Sequence, residues 1–480
     1  MPRLLSSLVV LFLAACSNSS STSGPPPTQF YFPTGIAHVD VPGKTEGVLF
    51  VANANFDKRY ATGSINTLSL DGLPTLPALG TPVDKVLEIP ELGMTDAQTV
   101  QIASFSGELA VLPVNGGHRI YVPTRSEGMR VYQALATVDA SGVPSMSCLG
   151  GGEGQNCTFA GPSLTPREFE QSTTGVPRAP SPYGVAVAQR TCNAPGDCCP
   201  AGTADCGRAC TANKCVDAEG QPFADVWFTH ITQADSPTLS ATNFRGYLVR
   251  LDSDNFAVSE SSFIDIGPGG SNSVAVRGDW AWVSGRILNP QPNLMRAVNR
   301  NGTAYTMGLE SIYRVSDARS VVLSSDGKQL YVVGRVPDTL LVLNINNPDS
   351  ATPSLSLVRS VSLCDAPNQA AVIPRAGRGD LVAVTCTSGG SVAVYDADVG
   401  DLVSLVSAVG VQPYGLAVDT RGTAARIYAS NFGDGRIAVI DVPDLNRPQG
   451  ARLVAHLGAQ QLCLTRGVNS PGCLATKVTQ

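Results

Sequence analysis

A chain of 480 residues with a formal net charge of −6 can bury a large core, and its mild, dispersed acidity argues against nucleic acid and against a broad basic surface for anionic lipids. Only 6% of the residues are aromatic, whereas 48 are glycine and 34 are proline. That balance, with little helical periodicity, excludes a long-helix protein and favours short strands broken by turns.

The N-terminus carries one basic residue, Arg3, and then an apolar stretch from Leu4 to Leu13 interrupted by Ser6 and Ser7. This is the length of a signal-peptide core and too short to cross a bilayer as a helix. It runs into Leu13-Ala14-Ala15-Cys16, which resembles the lipobox of bacterial lipoprotein signal peptides. The resemblance implies cleavage before Cys16, diacylation of its thiol and acylation of the new amine. An ordinary signal peptide with an incidental cysteine is the competing reading. Residues 1–15 are therefore expected to be a leader and 16–28 a tether, rich in Ser, Thr and Gly and ending in Pro25-Pro26-Pro27. Two or more acyl chains make a stable anchor, so a membrane is the first expected partner. Ser17, not Asp, follows the cysteine, which resembles the outer-membrane sorting pattern of Gram-negative lipoproteins and leaves the periplasmic or surface face open. No later stretch reaches the ~20 apolar residues that a membrane helix requires.

From residue 29 to 460 a unit recurs: a strand after a turn, a second strand of the type Leu-Tyr-Val, a polar turn and a third strand ending near Asp or Asn. Seven starts are legible. They are Pro33-Thr34-Gly35-Ile36-Ala37, Glu108-Leu109-Ala110-Val111, Pro182-Tyr183-Gly184-Val185, Ser271-Asn272-Ser273-Val274, Arg319-Ser320-Val321-Val322, Asn368-Gln369-Ala370-Ala371 and Pro413-Tyr414-Gly415-Leu416. Aligning Ala275, Val322, Ala371 and Ala417 gives steps of 47, 49 and 46 residues, the period of a propeller blade. Within the fifth unit, Val322-Leu323-Ser324-Ser325-Asp326-Gly327-Lys328 leads into Leu330-Tyr331-Val332. Over roughly 311–442 the units resemble the YVTN-type repeats of bacterial surface proteins and lactonase-like propellers; only the fifth keeps the Asp-Gly-Lys hairpin. The expected fold is an all-β, seven-bladed β-propeller with a small disulfide-rich insert at 190–222. A pair of two-sheet sandwiches is the alternative. Closure is expected from Gln29-Phe30-Tyr31-Phe32 pairing with the unit that holds Arg436 to Asp441, because a ring leaves no exposed sheet edge.

Cysteine usage agrees with export. The chain has 13 cysteines; setting Cys16 aside leaves an even number in close sets. These are Cys148 and Cys157; Cys192, Cys198, Cys199, Cys206, Cys210 and Cys215; Cys364 and Cys386; and Cys463 and Cys473, which would staple a tail at 461–480. Local disulfides are expected, not zinc, although six cysteines permit fifteen connectivities. The insert from Cys192 to Cys215 has almost no large apolar side chain, so cross-links are expected to hold it.

No chemistry-bearing motif survives its context. Gly43-Lys44-Thr45 lacks the first glycine of a phosphate loop, since His38 stands there. Gly433-Asp434-Gly435-Arg436 leads into a strand, whereas a dinucleotide fingerprint needs a helix. Asp396, Asp398 and Asp401 lack the remaining ligands of a calcium loop. His38, His118, His230 and His456 are isolated, and no GxSxG elbow occurs. No cofactor or metal is expected from these residues. One constellation stays open: Asn53, Asn55 and Asp57 in the first unit and Asn431 and Asp434 in the last would meet at the channel mouth of a closed ring. Asx residues also serve turns for local reasons. The resemblance to lactonase-like propellers implies carboxylates and amides near the channel for a metal. Two functions compete: a lipid-anchored binding or scaffold module with a protein or glycan partner, and a lactonase-like hydrolase with a metal at the channel mouth.

Overall fold

In the strand Val48–Asn53, alternation sends side chains to two different partners. Leu49 and Val51 pack with Tyr428 and Val439 on one side, while Val48, Phe50 and Ala52 pack with Ile120, Val122 and Tyr132 on the other. A sheet that is apolar on both faces must be covered twice. The computed structural model, which describes residues 24–461 apart from segments 166–180, 200–205, 232–245, 287–294 and 308–314 and positions 74, 127, 140, 141, 151, 153, 159 and 268, shows how this is done. Seven four-stranded antiparallel meanders follow one another as the blades of a β-propeller, the first of them passing over Leu87–Ile89, which joins the last.

The innermost strands are Pro33–Val39, Ala110–Val114, Pro182–Gln189, Val274–Arg277, Ser316–Leu323, Pro367–Ile373 and Pro413–Arg421. Each begins within three residues of a repeat start read from the sequence. All run the same way, from what we term the upper end of the ring to its lower end. Seven apolar clusters each span two neighbouring blades, including the pair formed by the last blade and the first. That closed circuit of packing rules out the pair of sandwiches.

Closure differs from the expectation. The seventh blade supplies its own fourth strand, Arg452–Leu457, and Gln29–Phe32 form no strand and do not complete that unit. Instead Leu87–Ile89, from the long third connection of blade 1, adds in parallel to the outer edge at Ala455–Leu457. Phe30 enters the core between blades 1 and 7, and its carbonyl accepts a 2.6 Å hydrogen bond from Gln461.

The lower end is stitched by arginines that reach the following blade. Arg119 donates to the Ser253 carbonyl at 2.6 Å, Arg250 to Arg300, Arg277 to Gly327, Arg359 to Gly400, Arg375 to Leu445 and Arg426 to Pro77. Arg426 is wholly buried and also pairs with Asp441 at 2.7 Å and with Glu46 of blade 1 at 2.7 Å. In the hairpin Ser324–Gln329 the backbone turns at Gly327 (φ +67°), a conformation glycine adopts without strain, while Ser325 donates to Asp380 of blade 6.

Phe30→Ala should lower the thermal midpoint of the whole domain, because removing a fully buried aromatic ring costs about 3–5 kcal/mol. A thermal melt of the variant that coincides with wild type would show that blades 1 and 7 do not depend on each other.

Candidate functional site

The insert leaves blade 3 after Pro182–Gln189 and returns at Ala224–His230. It therefore sits at the lower end. Its disulfides are Cys192–Cys210, Cys198–Cys215 and Cys199–Cys206. Cys148–Cys157 and Cys364–Cys386 pair elsewhere in the ring; Cys463 and Cys473, like Cys16, lie outside the described residues. A two-stranded ribbon, Ala209–Thr211 with Lys214–Val216, turns at Ala212 and Asn213, both at positive φ. The insert has a small core after all: Cys192, Cys198 and Cys215 close on Phe223, which lies just beyond the cysteines. The Arg208 guanidinium sits 3.7 Å from the centre of that ring and Arg190 5.0 Å from it. Arg208 also pairs with Asp252 and Asp254 at 2.8 Å each, and Asn115 of blade 2 bonds Gln221 and Gly220. The knob is therefore fixed to blades 2 and 3.

Against blades 4 and 5 it leaves a cleft of about 930 Å³, lined by Arg190, Asn193 and Asn213 from the insert and Asp279, Arg300 and Asp349 from the blades. Asp225 lies within the lining and accepts from Arg300 at 2.7 Å. Burial pushes its carboxyl up to about 6, against the pull of Arg190 and Arg250. Arg190 is 7% exposed. One of its terminal nitrogens donates to the Cys198 carbonyl at 3.0 Å, and Nε stands 3.8 Å from Asp225. The other, Nη2, is buried with no hydrogen-bond partner among the described residues. Burial lowers the guanidinium's pKa, with Asp225 opposing. A buried donor without an acceptor is costly and is expected to meet water or a ligand oxygen.

Residues of six innermost strands, with Glu108 and Leu109 just ahead of the innermost strand of blade 2, line a narrow central channel of about 160 Å³. Tyr183 of blade 3 and Tyr414 of blade 7 meet hydroxyl to hydroxyl across its upper end, and the Arg125 guanidinium lies over the Tyr183 ring at 5.7 Å. Burial raises the Tyr183 phenol well above its usual range. Below them Glu108 accepts from Gln369 at 2.9 Å and from the Val185 amide at 3.4 Å, and burial pushes it up to about 7. It is the one carboxylate among the described channel-lining residues, and both its oxygens are engaged. That set falls short of the ligands a divalent cation takes.

The five polar residues proposed for a channel mouth divide into two groups. Asn53 accepts from the Tyr31 amide at 2.9 Å, and Asp57 from the Tyr31 hydroxyl at 2.7 Å. Asn55 bridges Tyr60 and Ser104. In blade 7, Asn431 donates to the Val409 carbonyl at 2.9 Å and Asp434 holds Arg436 at 2.8 Å. Elsewhere, Asp396 and Asp398 are occupied by Arg375 and Arg378. His230 is bonded at both nitrogens to carbonyls, and burial lowers it to about 4. His38, Asp40 and Asp419 come together at the lower end, where Arg421 already pairs with Asp419. Sequence reasoning missed Glu108 and Arg190 as site residues, since nothing local marks a strand-start glutamate or a loop arginine. The paired Pro-Tyr-Gly starts were the available signal for Tyr183 and Tyr414.

No protein-family model matches the chain, and no curated protein does. Solved structures of low similarity match large parts of the chain. A functionally unknown protein from Desulfotomaculum acetoxidans is 13% identical (TM-score 0.45; 83% of this chain and 95% of that one covered). A candidate 6-phosphogluconolactonase from Bacteroides uniformis is 14% identical (TM-score 0.39; 70% and 78%). Apo AztD from Citrobacter koseri is 10% identical (TM-score 0.39; 89% and 86%). At this distance none of them bears on function.

Glu108 has a pH consequence with a definite sign. Its folded pKa is raised from 4.5 to about 7, so the fold favours the protonated form, and stability falls as pH rises across that window. Glu108→Gln should flatten this part of the stability–pH curve and stabilise the protein at pH 8 by up to about 3 kcal/mol, less whatever the channel water screens. Asp225 titrates in the same direction, so the difference between variant and wild type is the quantity to measure by denaturation. Parallel curves for the two proteins would refute it.

Proposed function

We propose that this chain is an envelope lipoprotein anchored through Cys16, whose propeller acts as a binding module for a protein or glycan through the cleft between the stapled insert and blades 4 and 5. One observation carries the reading: a polar cleft of about 930 Å³ has one wall held by three disulfides and counts Arg190 among its lining residues, whose Nη2 is buried with no hydrogen-bond partner among the described residues. A wall that is already ordered loses little conformational freedom on binding. Asn, Asp and Arg side chains suit hydroxyl, amide or carboxylate groups on a ligand. The lipobox-like Leu13-Ala14-Ala15-Cys16 and the oxidised cysteines support an exported location.

A second reading, lactonase-like hydrolysis in the channel, is favoured by Glu108, because a carboxyl titrating near neutrality is suited to proton transfer. Elemental analysis of purified protein, with lactone turnover followed from pH 6 to 8, tests it. A stoichiometric metal with turnover abolished by Glu108→Gln would replace the binding reading.

Two variants test the main proposal. Replacing residues 192–215 with a short Gly/Ser linker should leave the propeller folded, since every blade strand lies outside the excision, yet abolish partners cross-linked on intact cells. Arg190→Gln should weaken the same partner about tenfold or more, because an acceptor facing a buried guanidinium loses a charge-assisted bond. Retention of every cross-linked partner by the linker variant would end the proposal. Cys16→Ser should release the protein from membranes; retention without acylation would remove the anchor.

A further inference from the structure

The upper end of the ring carries an exposed aromatic cluster that the cleft does not use. Phe56 is 48% exposed in the connection between Val48–Asn53 and Gly63–Ser69. Its ring packs on Phe105 at 5.2 Å, Phe432 at 5.5 Å and Phe32 at 6.0 Å. These rings come from blades 1 and 7 and from the turns before the innermost strands. Beside them stand two exposed cations, Lys58 and Arg59, lying over the rings of Phe105 and Tyr31. Val411 is also exposed at this end. Aromatic side chains flanked by lysine and arginine are the composition of a membrane–water interface with anionic head groups.

The point at which the tether meets the ring says what covers this patch. The backbone of Gly24 lies beside Thr62 and Gln101, at the upper end of blade 1. Eight peptide links separate Gly24 from Cys16, a reach of at most about 29 Å. The strands that set the ring's thickness run 4 to 9 residues, or roughly 14–30 Å at about 3.4 Å per residue. The lower end could meet the bilayer only with the tether drawn out along nearly the whole depth of the ring, whereas the upper end needs no extension.

We infer that the Phe56, Phe105 and Phe432 cluster, with Lys58 and Arg59, docks the propeller upper end down on the bilayer that holds its own lipid anchor. The inference rests on the lipid anchor proposed at Cys16. It turns the insert and its cleft away from the membrane, where a partner can enter.

The test uses the lipidated full chain in vesicles of phosphatidylethanolamine and phosphatidylglycerol with brominated acyl chains. The native tryptophans, Trp227, Trp280 and Trp282, are buried and give a quiet background. Phe56→Trp and, as an independent reporter, Val411→Trp place a tryptophan at the upper end; Val399→Trp places one at the lower end, in the turn after Ser391–Asp396. Brominated lipid should quench the added emission at positions 56 and 411 several-fold more than at 399. Lys58→Glu with Arg59→Glu should shrink that difference. Protein that floats with the vesicles but is quenched equally at both ends overturns the orientation, as does upper-end quenching that appears only after envelope protein is added. Protein that does not float overturns the anchor instead, so the two failures are distinguishable.

Discussion

Everything in this molecule follows from strands that are apolar on both sides. A blade whose alternate residues face opposite neighbours has no solvent face, so an open row of such blades would leave two apolar sheets uncovered. The sequence meets that constraint with seven units and a circle. Tyr428 and Val439 of the last blade share a core with Leu49 and Val51 of the first, in the same way that Val382 shares one with Val333 further round. The hydrophobic term therefore resides between blades, not within them, and no blade is a folding unit of its own.

Because the core is divided among junctions, orientation at each junction must come from polar groups. At six of the seven junctions an arginine of the lower end fills that role, crossing to a carbonyl of the following blade. Arg426 is the extreme case, with no exposure and two carboxylates as partners. An ion pair this deeply buried adds little net stability over an apolar substitute, but removing one partner strands the other. Its value lies in register: the fork of a guanidinium accepts few arrangements of carboxylate and carbonyl. With junctions fixed in this way, connections at both ends are free to lengthen, and blade 3 can carry the whole insert without disturbing its strands.

Much of this was legible beforehand, and the reason is local. The seven starts are visible because the innermost strand needs small residues and glycine where strands crowd the axis, and period-2 alternation follows from two-sided burial. Close cysteine spacing made local pairing the natural expectation, but the choice among fifteen connectivities depends on which side chains face inward around Phe223, which no spacing encodes. Ring closure was misread for a related reason. Gln29–Phe32 is apolar enough for an edge strand, yet whether an edge is vacant depends on the strand count of a blade more than 400 residues away. Leu87–Ile89 lies in a stretch of mixed apolar and charged residues and has no pattern that announces a parallel pairing.

Glu108 and Arg190 escaped notice for a deeper reason. Each is an ordinary residue at an ordinary place in its unit, and only the closed ring gives it an environment. Glu108 faces Gln369 across 261 positions of sequence because the axis brings blades 2 and 6 together. Arg190 is buried because an insert of small residues and cystines folds back over it, leaving two of its nitrogens engaged and the third without a partner among the described residues. An unpaired buried donor works against folding. The residue that carries this unpaired nitrogen lines the cleft between the ring and the insert.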